Sequence, residues 1–179
     1  MSGKKGQSAM EYLMTYGWAI LVVMVVGIAM WRLGIFNMGP TTMTFTGFAK
    51  IKPQLSGTGF NATGNFNGVF TNGVGTTITV KDVNITKGAN TCAISDKADS
   101  RDFIKSGKNT VTGDQIASNP PRVPAGENFQ VHIDDGNCGI TGASNEIYVL
   151  KVAIKYDVTV GNTVTSHSEV GTIRGPFER

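Results

Sequence analysis

Residues 4–34 read KKGQSAMEYLMTYGWAILVVMVVGIAMWRLG, and this stretch decides the architecture. Two lysines open it, Glu11 follows, and from Leu13 to Trp31 no residue is charged. A helix over that span is about 29 Å long, close to a hydrocarbon core of roughly 30 Å. The run is apolar on every side. Such a helix belongs in a bilayer or in a bundle of other helices.

A secretory signal has an apolar core of about 7–15 residues and a small-residue cleavage site behind it. Here the core is longer, and no Ala-x-Ala follows Trp31. A plain N-terminal anchor fits the length but gives Glu11 no task. An acidic side chain at a helix centre costs about 2.5–3.5 kcal/mol in a bilayer, and less near the interface. Lys4 and Lys5 place the N-terminus in the cytoplasm and the rest of the chain outside it.

Lys4-Lys5-Gly6-Gln7-Ser8-Ala9-Met10-Glu11-Tyr12-Leu13 resembles the class III signal peptide of archaeal type IV pilins. The resemblance covers about 30 of the 179 residues. It implies cleavage between Gly6 and Gln7 by a membrane prepilin peptidase. Residues 1–6 are then a leader, 7–36 a hydrophobic tail helix and 37–179 an extracellular β-rich head. It further implies an assembly ATPase and a membrane platform protein as partners. The tail sits first in the membrane and then in the core of a helical homopolymer, with heads outside. The resulting expectation is a structural major subunit of a pilus-like surface filament serving adhesion. An archaellin-type subunit, or a membrane-tethered receptor or adhesin that never polymerises, is the alternative.

After cleavage the helix has almost no polar segment before it, and only another apolar environment can receive it. In a bundle of identical helices Glu11 needs a partner, since an unpaired buried charge is costly. The positive helix N-terminus or the new amine of Gln7 on a neighbouring copy can serve. Cyclisation of Gln7 to pyroglutamate would leave backbone donors alone. Otherwise Glu11 is a solvated interfacial residue. Tyr12, Tyr16, Trp18 and Trp31 suit interfacial belts or helix packing. Gly17 and Gly27 allow close helix approach. Asn37-Met38-Gly39-Pro40 is expected to end the helix.

Beyond Thr41 the period becomes two. Met43–Thr46 alternates, Lys52-Pro53 breaks the pattern, and 54–67 reads as a Gly/Asn/Ser/Thr loop. In 76–86, Ile78 and Val80 share a face, and Val83 and Ile85 resume it one residue out of phase. That slip predicts a bulge near Lys81-Asp82. Residues 91–126, with Asp96, Asp99, Arg101, Asp102 and Pro120–Pro124, read as a long surface excursion with one short helix. Phe129, Val131 and Ile133 form a strand face, followed by a hairpin-type turn at 134–137. From 147 to 160, Leu150, Val152, Ile154, Tyr156, Val158 and Val160 alternate with Lys151, Lys155 and Asp157. Gly161-Asn162 turns the chain, and 163–174 returns beside it. The expected class is α+β: a long hydrophobic helix, then an antiparallel sandwich or barrel-like head.

Cys92 and Cys138 are the only cysteines. In an exported head they are expected to bridge, closing a loop of about 47 residues and stabilising the fold by roughly 4 kcal/mol. Asn61-Ala62-Thr63 and Asn84-Ile85-Thr86 are sequons, so Asn61 and Asn84 are candidate glycan sites; the resembled family is often glycosylated.

With 16 basic and 13 acidic residues, and 14 against 13 after loss of Lys4 and Lys5, no basic cluster points to nucleic acid. His132 and His167 have no zinc-ligand spacing. Residues 134–137 lack the spacing of a calcium loop, and neither a P-loop nor Gly-x-Ser-x-Gly occurs. No catalytic residue, metal or cofactor is expected, and the chain reads as a non-enzyme.

Overall fold

The computed structural model describes residues 4–33, 42–95, 100–134 and 139–179, with 4–9 and 13 described for the backbone alone. The chain divides into two compact units, Met1–Met38 and Gly39–Arg179. It is α+β: one apolar helix, then antiparallel sheets.

Helix α1 spans Lys4–Arg32, and the apolar part long enough to cross a membrane is Met10–Arg32, 23 residues. It therefore begins inside the expected leader and not at Gln7. Lys, Gln, Ala and Met are good helix formers, and they carry the helix past Gly6. No acidic residue lies in the first turn, so the two lysines stand at the positive end of the helix dipole, an unfavourable placement. Arg32 in the last turn is favourably placed. The expected end at 37–40 lies outside the described residues.

The head contains twelve described strands: β1 (Thr44–Thr46), β2 (Ile51–Pro53), β3 (Gly59–Phe60), β4 (Phe66–Asn72), β5 (Ile78–Lys87), β6 (Asn90–Ala93), β7 (Phe103–Ser106), β8 (Asn109–Thr112), β9 (Arg122–Val123), β10 (Asn128–Ile133), β11 (Ile147–Val160) and β12 (Thr163–Pro176). One sheet runs β1-β12-β11-β5-β6, with β9 also on β5. The other runs β2-β4-β10-β7-β8, with β3 also on β4. All pairings between these strands are antiparallel.

The inward faces meet in one core. Val80, Val83, Leu150, Val152, Ile154 and Ile173 from the first sheet face Ile51, Phe66, Phe70, Phe129 and Val131 from the second, all at most 1% exposed. Phe60, Tyr148 and Phe177 join the two layers, with ring centroids 5.1–5.5 Å apart. Edge and tilted contacts of this kind add to the burial of the rings themselves.

The bulge sits where the alternation slips. Lys155 pairs with Asp82 and Tyr156 with Val80, so the ladder skips Lys81. At the same place β5 changes its other neighbour, from β9 at Ile78-Thr79 to β6 at Asn84–Lys87.

Four expectations are corrected. The stretch 91–126 holds β6, β7, β8 and β9 and, among its described residues, no helix. Phe103-Ile104 and Val111 are runs too short for periodicity to register; Ile104 is buried where β7 pairs with the distant β10, and Val111 where β8 pairs with β7. The 54–67 loop contains β3 and the first residues of β4. Lys52-Pro53 belongs to β2, which pairs with β4 alone, so the missing Pro53 N–H faces no partner strand. Val160 is 68% exposed, because β5 stops pairing at Val158 and the β11–β12 hairpin runs on past the core. Of the expected turn at 134–137, residues 135–137 lie outside the described residues.

Two side chains fix the crossing from β1 to β2. Glu169, buried on β12, accepts from the backbone N–H groups of Ala49 and of Lys50, the latter at 3.1 Å. Gly171 lacks a Cβ where the Phe48 ring lies; an added Cβ would stand 2.3 Å from that ring.

Candidate functional site

The tail surface is apolar and uncovered. Trp18 is 68% exposed, Trp31 77%, Val23 71% and Met14 76%. A run of exposed large apolar side chains on this scale marks a membrane or protein interface. The Tyr12 and Tyr16 rings, one turn apart, meet at a tilt of 31° with centroids 4.3 Å apart. Gly17 and Gly27 have open space where a side chain would be, and Met24, Ile28 and Trp31 border the notch at Gly27. Glu11 is exposed at the start of this surface, and its carbonyl accepts from Thr15 Oγ1 at 3.0 Å. Gly6 and Gln7 lie within the helical backbone.

Sequence reasoning treats the two sequons alike; the structure separates them. The Asn61 amide oxygen accepts from Thr63 Oγ1 at 2.9 Å, Gly64 N at 2.9 Å and Asn65 N at 2.7 Å. This closes a tight turn, and none of the three bonds uses the amide nitrogen, the atom an N-glycan takes. Asn84 lies mid-strand, opposite Ala153 on one side and Ala93 on the other. Its amide oxygen is buried without a hydrogen-bond partner, and the Thr86 hydroxyl of its sequon is engaged with Thr91 Oγ1 at 3.1 Å.

Cys92 is 2% exposed on β6, and no cysteine among the described residues is free. Cys138 lies outside the described residues.

The two histidines are far from forming a joint site. His132 stacks on Phe103 at 5.0 Å, with Nδ1 2.8 Å from Asn67 Oδ1. His167 stacks on Tyr156 at 5.6 Å on the other sheet. Among the described residues no group of three His, Cys, Asp or Glu side chains is placed to hold a metal. The outer face of the first sheet carries a small charge lattice: Lys81–Asp157 at 3.6 Å and Lys155–Asp82 at 3.5 Å. Burial, with a smaller contribution from Glu169, raises the Tyr156 phenol above its usual range; burial and then Glu178 do the same for Tyr148. Both phenols are packing groups: the Tyr156 ring lies against His167, and the Tyr148 hydroxyl is 4.0 Å from Met43 Sδ.

What sequence reasoning missed in the head is an edge. Strand β12 is paired with β11 throughout, but β1 covers its other side only at Thr172–Arg174. Thr163–Ser168 are all exposed. The signal available was the unbroken run TVTSHS, strand-forming and free of charge and proline.

No family model and no curated protein matches this chain. The pilin-like architecture, a long apolar N-terminal helix followed by antiparallel sheets, is thus carried by the chain's own residues and topology.

Proposed function

We propose that this chain is the structural subunit of a cell-surface filament like an archaeal type IV pilus. Cleavage between Gly6 and Gln7 frees the tail, tails bundle in the filament core, and β heads lie outside and serve adhesion. The observation that carries the reading is the pairing of one fully exposed 23-residue apolar helix with a separately cored β head. A soluble domain would bury such a helix, whereas a bilayer and then a bundle of identical tails give it two successive apolar environments. Loss of Lys4 and Lys5 removes the two charges opposed to the helix dipole and brings a new N-terminus within about one turn of Glu11. The peptidase, an assembly ATPase and a platform protein are the partners this implies. No enzymatic step, cofactor or nucleic acid enters the proposal. We also assign a Cys92–Cys138 bridge to the head and a glycan to Asn61.

The test is the N-terminus and intact mass of the native protein from sheared surface fibres. Chains starting at Gln7, or its pyroglutamate, in the fibre fraction are expected. Chains starting near Met1 and confined to membranes would favour the tethered receptor instead.

A further inference from the structure

We propose that the outer edge of β12 at Thr163–Ser168 is a strand-pairing surface for a second copy of this chain, and that it takes the edge of β8, Asn109–Thr112. The contact deepens the filament reading and rests on it. Natural sheets blunt their edges with short strands, lysine, proline or covering side chains, because an open edge invites another strand. Other edges among the described residues are blunted in those ways. Strands β1 and β3 have three and two residues. Strand β2 carries Lys52 and Pro53. Beside β6, Asn90 Nδ2 donates to the Gly139 carbonyl at 2.8 Å and Lys87 Nζ to that of Thr141 at 3.0 Å.

Two edges remain, one on β12 and one on the four-residue β8. TVTSHS on β12 and NTVT on β8 contain no charge and no proline. Strand β12 is already fixed along its inner side, with fourteen register pairs to β11, and β8 is fixed by four pairs to β7. Little backbone freedom remains to be lost on pairing. Val164, 58% exposed, adds apolar area at the edge.

The two edges belong to different sheets of one head. A β12-to-β8 contact is therefore head-to-tail, leaves a free β8 and a free β12 at its ends, and repeats without closing. Four residues facing six give about four backbone hydrogen bonds, too few to hold isolated copies together. High local concentration in a polymer is what populates such a contact.

The experiment is hydrogen–deuterium exchange on the full chain, in fibres and in detergent-dispersed form. Alternation leaves about half the amides of 163–168 pointing away from β11. We expect these and the outward amides of 109–112 to exchange at least tenfold more slowly in fibres. Unchanged exchange in intact fibres overturns the edge contact and leaves the filament reading standing; absence of fibres overturns both. A Val164→Lys chain, altered at an exposed position, is expected to lose the protection; fibres of it with full protection would overturn the proposal. Oxidative cross-linking of a Thr165→Cys chain mixed with a Thr110→Cys chain is expected to join the two. Efficient joining of Thr165→Cys chains to one another would mean β12-to-β12 pairing and overturn the assignment of β8.

Discussion

Removing one residue from the middle of a buried strand normally destroys it, because every later side chain changes face. Deletion of Lys81 is expected to be an exception. The bulge makes Lys81 the residue the ladder skips: Val80, Asp82 and Val83 already oppose Tyr156, Lys155 and Ile154 in sequence. Without Lys81, Val80, Val83 and Ile85 stay inward and Asp82 and Asn84 stay outward. The loss is one ion pair to Asp157 at 3.6 Å from a half-exposed lysine, worth about 0–1 kcal/mol. Deletion of Val83 is the control. It removes a fully buried side chain worth roughly 1.5–3 kcal/mol and brings Asp82 into its slot. A carboxylate left unpaired there costs about 3–5 kcal/mol more, so the sum rivals the whole stability of a domain. Thermal unfolding of the full chain in detergent, followed by near-ultraviolet circular dichroism, reads the difference. For a head of this size 1 kcal/mol is about 4 °C. The Lys81 deletion should lower the midpoint by less than about 5 °C, and the Val83 deletion should abolish the transition. Equal loss in both variants would refute the assigned register.

Further outcomes are expected. Glu11→Gln should cut fibre yield at least tenfold, about 1.4 kcal/mol of assembly energy, at unchanged precursor level in the membrane; normal fibres would remove the charge from the assembly role. A tryptic map should show added hexose on the Asn61 peptide and an unmodified Asn84 peptide, and the reverse pattern would contradict the turn and mid-strand geometries described for them. Tyr148 and Tyr156 have phenols raised above the ordinary 10.0 by burial and by Glu178 and Glu169 respectively, so the fold favours their neutral forms. Their contribution is complete below pH 10 and is lost as pH rises above it. Both should ionise only together with head unfolding in an absorbance titration, and ionisation with the near-ultraviolet signal intact would count against their burial.

The strongest sequence signals were those with long periods to read. Fourteen alternating residues on β11, and the phase slip in β5, led to the right strands and to the bulge at Lys81. The helix was legible from the length of its uncharged apolar run, though its start was not, since nothing in Lys4–Gly6 forbids helical backbone. Strands β3, β7, β8 and β9, with two to four residues each, carry almost no periodic signal, and their place is set by partners distant in the chain. The Glu169 grip on Ala49 spans 120 positions, and no local pattern announces it. The sequons differ only in what folds around them: Asn61 closes a turn, and Asn84 is walled in by neighbouring strands.

That grip has a mechanical meaning. The chain leaving the tail reaches the head through β1, held to β12 by three register pairs, Thr44 with Arg174 through Thr46 with Thr172. In a filament under tension, load arriving from the tail falls first on that short strand. If β1 peels, the next obstacle is the pair of amides at Ala49 and Lys50 held by Glu169, with the Phe48 ring wedged against Gly171. Past that point the chain enters β2, paired with β4 in the other sheet, so peeling that begins at β1 meets a stop before it reaches the core.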